Sequence, residues 1–374
     1  MRFYFGLLLL TVIPKLDATR VTKLVMLRDA VDSGAVCLDG SPPAYYRGNG
    51  TGSDSNKWII HMEGGGWCPN NADCYDRSNT PLGSSTSYGP TESLSGFLDD
   101  DPKLNPKFAN WTVIFIKYCD GATYSGNKDD PVVVYGKKLY FRGYRILVTV
   151  FEHLLKNGLE KADAAILTGC SAGGESTYIH LDVFRSLVPA NIPVHGLPDA
   201  GYFINAANVK GQFEWPAQYN YVYHMHNVST GLNQACVQAK AEDDKWQCFM
   251  GQYAYEYLKT PLFVFNSQYD TWQLDYILEL GCRPPNCNAR QMKHFNAWRP
   301  TYLKALGPAI DNPTSGLFID SCLVHCQSLD TSWWSQVTVN GTSANDAFAQ
   351  WYFSNGSVTT KEIDKPYPHN PTCT

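Results

Sequence analysis

Ser171 sits in Gly169-Cys170-Ser171-Ala172-Gly173, directly after the apolar run Ala164-Ala165-Ile166-Leu167-Thr168. The residues that follow, Glu175 to Leu187, read as a helix. A G-x-S-x-G pattern between a strand and a helix puts the serine on a sharp turn, with its hydroxyl lifted clear of the sheet. The small flanking residues let the backbone take that turn and leave room for an acyl group. A serine hydroxyl is a weak nucleophile near neutral pH. It needs an imidazole to take its proton and a carboxylate to orient the imidazole. Asp270 and His325 follow Ser171 in one of the chain orders known for this constellation, Ser then Asp then His. Each lies just past an apolar run that reads as a strand, Leu262 to Asn266 and Leu317 to Asp320. The chemistry also needs N–H groups aimed at a developing oxyanion. Ala172, the residue after the nucleophile, is one expected donor. The other is expected from the glycine run Gly64-Gly65-Gly66 after the strand Lys57 to Met62. The expected reaction is two-step acyl transfer, which requires no metal and no cofactor.

Other residues could compete for these roles. His61, His153, His180, His195, His224, His226 and His294 are alternative bases. His153 and His180 fall in helical patterns, and His61 lies inside a strand beside the glycines. His224-Met225-His226 reads as alternate residues of a strand, and no third metal ligand accompanies the pair. Asp199 and Asp320 are rival acids and read as strand-end turn formers. His325 lies between Cys322 and Cys326, so disulfides there would hold its loop rigid.

These residues must be positioned by a scaffold. Short apolar runs alternate with helical segments such as Phe141 to Lys156, which argues for a mostly parallel sheet with helices on both faces. Ligands of such sheets sit at the carboxyl ends of the strands. Gly64 to Trp67, Ser171, Asp270 and His325 all lie just after an expected strand. The fold class expected is therefore α/β, of the α/β-hydrolase kind, with strand-end loops forming the site. The stretch 69–110 is rich in Asn, Ser, Gly, Pro and Asp and reads as surface connections. The stretch 205–259 reads as helices with many aromatics that could cap the site.

The chain has 374 residues, 44% hydrophobic and 17% charged, enough for one large core. A net charge of −5 with no strongly basic run argues against nucleic acid as a partner. Met1-Arg2, an apolar stretch of 11 residues and then a small residue near Ala18 read as a signal peptide over 1–18, leaving a single domain over 19–374. No later stretch is long enough to cross a membrane. A monomer is expected. The 12 cysteines and the sequons at Asn49, Asn110, Asn227, Asn340 and Asn355 agree with an oxidising, secretory destination. Cys68/Cys74, Cys236/Cys248 and Cys282/Cys287 read as local staples, and the remaining connectivity stays open. No pair of C-x-x-C knuckles supports a zinc site.

Five longer motifs carry a family resemblance. They are Glu63-Gly64-Gly65-Gly66-Trp67-Cys68, Tyr118-Cys119-Asp120-Gly121, Gly169 through Gly174, Tyr269-Asp270-Thr271-Trp272, and Ser321-Cys322 through His325-Cys326-Gln327. With Val36 through Pro42 they resemble the plant pectin acetylesterase family, which is related to the animal esterase Notum. The likeness runs from about residue 25 to the C-terminus. It implies a secreted cell-wall esterase that removes acetyl groups from pectin, with Ser171, Asp270 and His325 as triad and Gly65, Gly66 and Ala172 around the oxyanion. Trp67, Tyr118 and Asp120 are expected to wall the pocket. Acetylated xylan, a lipidated protein, or a non-catalytic role in polysaccharide binding are the alternatives. Two departures stand out. The tail reads Lys365-Pro366-Tyr367-Pro368-His369 where the family carries cysteines, which puts one tail disulfide in doubt. Glu175 replaces a small or apolar residue close to the nucleophile.

Overall fold

The structure is a computed structural model that describes residues 20–354 and 358–373. The leader expected over 1–18 and the sequon at Asn355 lie outside the described residues. The strands run β1 (Arg20–Met26), β2 (Ala44–Gly48), β3 (Lys57–Met62), β4 (Thr91–Leu94), β5 (Thr112–Ile116), β6 (Val132–Val134), β7 (Lys137–Leu139), β8 (Ala164–Cys170), β9 (Val194–Asp199), β10 (Phe263–Ser267), β11 (Gly316–Asp320), β12 (Thr338–Val339), β13 (Thr342–Ser343) and β14 (Lys361–Ile363). Ten of them form one sheet in the order β14-β11-β10-β9-β8-β3-β5-β2-β1-β4. From β14 to β5 every neighbouring pair is parallel. Beyond β5 the edge continues antiparallel through β2, β1 and β4. The stretch 69–110 is therefore more than surface connection. It carries α1 (Asn71–Arg77) and the edge strand β4.

Alternation along the strands explains why both faces are covered. In β5, Val113 and Phe115 enter one apolar cluster while Ile114 and Ile116 enter the other. In β11, Phe318 goes to the first cluster and Leu317 and Ile319 to the second. A strand apolar on both sides must be sandwiched between layers. One face packs against α2 (Gly143–Lys156) and α3 (Ala172–Leu187). The other meets an aromatic group that includes Trp334, Phe348 and Trp351.

The sheet order also fixes where a ligand can bind. β5 lies on one side of β3, and β8 through β11 build outward on the other. The order therefore reverses between β3 and β8, and the crevice beyond their carboxyl ends is the binding position of an open α/β sheet. The loops leaving these two strands carry Gly64–Gly66 and Ser171.

His224 and His226 are not on a strand. They end α4 (Glu214–His226), which has Pro216 in its first turn and Asn227 in the left-handed conformation after its last. His226 is buried and His224 exposed, so the two do not face one ligand. All 12 cysteines are paired. The three local staples form. Cys37–Cys119, Cys170–Cys326 and Cys322–Cys373 are the long-range bridges. The tail is pinned by the last of these, despite the changed tail motif. Among the described residues no helix is long and apolar enough to cross a membrane. Asn49, Asn110, Asn227 and Asn340 are exposed.

Candidate active site

Ser171 occupies the junction of β8 and α3 with φ 57° and ψ −122°, a strained conformation for a residue with a Cβ. Its surroundings force that geometry. The Ser171 N–H donates to the Asp199 carbonyl of the neighbouring strand at 3.0 Å. A Cβ on Gly173 would come within 1.9 Å of the Met62 carbonyl, so only glycine lets α3 seat against the end of β3. A Cβ on Gly64 would lie 2.4 Å from the Cys170 carbonyl, so the glycine loop is pressed against the turn.

His325 Nε2 is 2.9 Å from Ser171 Oγ, and His325 Nδ1 is 2.7 Å from Asp270 Oδ2. Asp270 is fully buried. Its other oxygen, Oδ1, accepts the Gln273 N–H at 2.9 Å and caps the short helix Thr271–Tyr276. That cap fixes the carboxylate, so the same residue ends a turn and orients the imidazole. Burial pulls the His325 pKa down, but the Asp270 carboxylate, with a smaller contribution from Asp199, outweighs it and holds the value above the ordinary 6.5.

The rival groups lie elsewhere, and the buried histidines among them are poor proton acceptors. Burial pushes His61, His180 and His226 down to about 3 and His195 to about 4, which keeps them neutral. Asp199 Oδ2 accepts the N–H groups of Gln327 and Ser328, each at 2.7 Å, and so anchors the loop that bears His325. Asp320 Oδ1 accepts the Cys322 N–H at 2.8 Å and shapes the start of the same loop.

The expected oxyanion donors lie on the glycine loop and at the start of α3. Its carbonyls are held from behind: Arg77 Nη1 donates to the Gly65 oxygen at 2.9 Å and the Tyr118 hydroxyl to the Gly66 oxygen at 2.7 Å. Gly65 and Gly66 take φ values of 139° and 62°. Among the described residues, the N–H groups of Gly65, Gly66 and Ala172 donate to nothing within the protein. Ala172 is also the first residue of α3, where helix N–H groups are free and the dipole favours negative charge.

Of the expected pocket walls, only Trp67 faces the cavity beside Ser171. Tyr118 and Asp120 do not reach it. Tyr118 is buried behind the glycine loop. Asp120 accepts the N–H groups of Ala122 and Tyr124 at 3.1 and 3.2 Å and builds the turn that follows β5. The cavity is instead closed by Phe203, Trp215 and Trp272, with Thr123 and Glu175 beneath. Trp215 stacks on Trp67 at 4.8 Å and meets Trp272 edge-on at 4.7 Å. Its open volume is about 10 Å³, room for roughly one water molecule. The sequence signalled Trp215 only within the aromatic-rich stretch 205–259 and Trp272 only as the Trp next but one to Asp270, and Phe203 carried no signal.

Comparisons with known proteins give the family and the fold. The sequence model of the family described as Pectinacetylesterase matches residues 16–374. The chain belongs to the pectinacetylesterase family. Pectin acetylesterase 5 of Arabidopsis thaliana is 37% identical over 96% of this chain and 86% of its own length. Pectin acetylesterase 7 of the same plant is 37% identical over 95% of this chain and 93% of its own. A palmitoleoyl-protein carboxylesterase NOTUM of Schmidtea mediterranea is 29% identical over 90% of this chain and 63% of its own. The structure of the Wnt deacylase Notum from Drosophila superposes with a TM-score of 0.82 at 25% identity, over 95% of this chain and all of that one. This family member is thus a carboxylic ester hydrolase on an α/β-hydrolase-like fold.

Two residue groups have metal-ligand types at close range, Cys68/Cys74/His226 and Asp320/Cys322/Cys373. In both, the sulfurs are bonded to each other and offer no thiolate. Cys170–Cys326 has a different use. It joins the residue before Ser171 to the residue after His325 across 156 positions. Removing it by Cys170→Ala with Cys326→Ala should cost about 2–5 kcal/mol of stability. It should also lower kcat on a small ester about 10²-fold, since misplacement of about 1 Å is worth that much. Thermal melting and steady-state kinetics check both. A variant with wild-type kcat would show that the bridge does not set the Ser171–His325 spacing.

Proposed function

We propose that this protein is a secreted serine esterase that releases acetate from acetylated pectin. The reading rests on one observation above the rest: the Ser171–His325–Asp270 chain of hydrogen bonds, with gaps of 2.9 and 2.7 Å, opens on a cavity too small for more than a short acyl group. His325 takes the Ser171 proton as Oγ attacks the acetyl carbonyl. Asp270 holds the imidazole and stabilises its charged form. The N–H groups of Ala172, Gly65 and Gly66 receive the oxyanion, and removing one such donor typically costs about 10²–10³ in rate. His325 returns the proton to the departing sugar oxygen. A water that gives its proton to His325 then attacks the acyl-enzyme, and acetate leaves. Every step uses side chains and backbone of this chain alone.

The small cavity, with about 10 Å³ of open volume, weighs against a long acyl chain such as the palmitoleoyl group named for the Notum relatives. The twelve paired cysteines and the exposed sequons support an extracellular, cell-wall location. The test is acetate release by the purified mature chain from acetylated pectin and acetylated xylan. Pectin is expected to give acetate at a rate at least about tenfold above xylan. Release from xylan alone would keep the mechanism and overturn the substrate. Release from neither, together with no reaction of Ser171 with an organophosphonate, would leave a polysaccharide-binding protein that has kept the fold.

A further inference from the structure

Glu175 is 1% exposed and lies one helical turn beyond Ser171, at the base of the acyl cavity. No step of the reaction above uses it. A carboxyl group in such a place is costly unless it is hydrogen-bonded. Here the Tyr219 hydroxyl of α4 donates to Oε1, and the Gly251 N–H faces the group from the cap. Burial, partly opposed by these hydrogen bonds, pushes its pKa up to about 8, so the group is a neutral acid at pH 6. Beside it stands Thr123, fully buried, with φ 54°. Thr123 Oγ1 faces the Glu175 carboxyl and helps lower its pKa, but at a geometry short of an aligned hydrogen bond, and it has no other partner. A β-branched residue at positive φ is strained, and a buried hydroxyl without a partner is costly. Both features sit where the far end of a bound acyl group would go.

The cavity is walled by four apolar rings, Trp67, Phe203, Trp215 and Trp272, and besides Ser171 its polar side chains are Thr123 and Glu175. An acetyl group in the serine ester would fill most of the open space with its methyl carbon. A third heavy atom would then meet the Thr123 hydroxyl and the Glu175 carboxyl. We propose that Glu175 and Thr123 determine acyl specificity: their polar floor accepts acetyl and 2-hydroxyacetyl groups and rejects propionyl and longer ones. This rests on the reading of Ser171 as the nucleophile, not on pectin as the substrate. The physical reason is the asymmetry of buried polar groups. A hydroxyl on the second acyl carbon supplies the partner that Thr123 lacks. A methyl in the same volume supplies none and strips both groups of any bridging water.

The 2-hydroxyacetyl and propionyl groups are nearly isosteric, so their ratio reports polarity rather than size. The experiment measures kcat/KM at pH 6 for aryl esters of acetic, glycolic, propionic and butyric acid. Each value is divided by the ester's hydroxide-catalysed rate to remove intrinsic reactivity. The wild type is expected to favour glycolyl over propionyl by at least about tenfold. Glu175→Leu should invert that preference and raise the propionyl:acetyl ratio by at least about tenfold. Glu175→Gln keeps a polar floor and should leave the glycolyl:propionyl ratio within about threefold of wild type. Thr123→Val removes the unpartnered hydroxyl while keeping a β-branched side chain. It should lower the ratio severalfold even if the leucine variant fails to fold.

A wild type that prefers propionyl over glycolyl would overturn the proposal, as would folded Glu175→Leu and Thr123→Val variants with unchanged ratios. Because these esters carry no sugar, the expected ratios with no acetate from pectin would sustain this inference and overturn the substrate reading. No hydrolysis of any ester would overturn the assignment of Ser171 and this inference with it.

Discussion

Ser171→Ala is expected to lower kcat on an aryl acetate by about 10⁵–10⁶, the scale seen when the nucleophile of a serine hydrolase is removed. The argument is geometric. Oγ is the only atom of the residue that His325 Nε2 can activate, at 2.9 Å. Alanine keeps the Cβ that the φ of 57° already strains, so the fold should tolerate it. What survives is the environment: free N–H groups at Gly65, Gly66 and Ala172 and the aromatic cavity. Oxyanion contacts and binding alone leave about 10³–10⁴ over the reaction in water. The variant should therefore retain substrate binding, lose the burst of acyl-enzyme formation, and no longer be labelled by an organophosphonate. Burst kinetics and intact-mass measurement read these directly. A folded variant that still formed an acyl-enzyme would move the nucleophile elsewhere.

The fold was legible where a local pattern and its tertiary use coincide. The apolar runs Ala164 to Thr168 and Leu317 to Asp320 are strands because they bury side chains on both faces, and the same feature makes them continuous runs in the sequence. Ser171, Asp270 and His325 stood out because each follows such a run, and strand ends are where an α/β sheet presents its ligand site. The misreadings have equally specific causes. His224-Met225-His226 was too short for periodicity to separate strand from helix, and only the capped α4 decides it. Tyr118 and Asp120 belong to a motif, but a motif does not say which way a side chain points. They shape the backbone from behind, as a hydroxyl on the Gly66 carbonyl and a carboxylate in a turn. The walls Phe203 and Trp215 come from a cap far along the chain, brought in by tertiary packing that no local spacing encodes. Cys170–Cys326 was hidden for the same reason, since pairing over 156 positions leaves no trace in either neighbourhood. Glu175 was visible as an odd residue, but its meaning depends on Thr123 and Tyr219 meeting it in space.

Asp270→Asn should be the second most damaging change, lowering kcat by about 10⁴ while leaving the fold intact. Asparagine can still cap the helix Thr271–Tyr276 through its amide oxygen, so the Gln273 N–H keeps an acceptor. The other end of the amide must then either present N–H to His325 Nδ1 or break the cap. Presenting N–H would force Nδ1 to be the acceptor and put the proton on Nε2, the atom that has to receive the Ser171 proton. The imidazole would sit in the wrong tautomer at an unchanged distance. The pH profile separates this from simple misfolding. In the wild type, kcat/KM on a neutral ester should rise with pH to a midpoint above 6.5, because His325 must be uncharged to act and the Asp270 carboxylate outweighs burial. In the variant, burial acts with only Asp199 against it, so the midpoint should fall below the wild-type value as kcat drops. The stability linkage has a matching sign. A histidine with a raised folded-state pKa stabilises the fold fully below the unfolded value near 6.5, and that contribution is lost as pH rises through the folded value. Wild type minus Asp270→Asn stability should therefore be larger at pH 5.5 than at pH 8.5. An unshifted acid limb, with kcat reduced less than about tenfold, would mean that Asp270 only caps its helix and that another group orients His325.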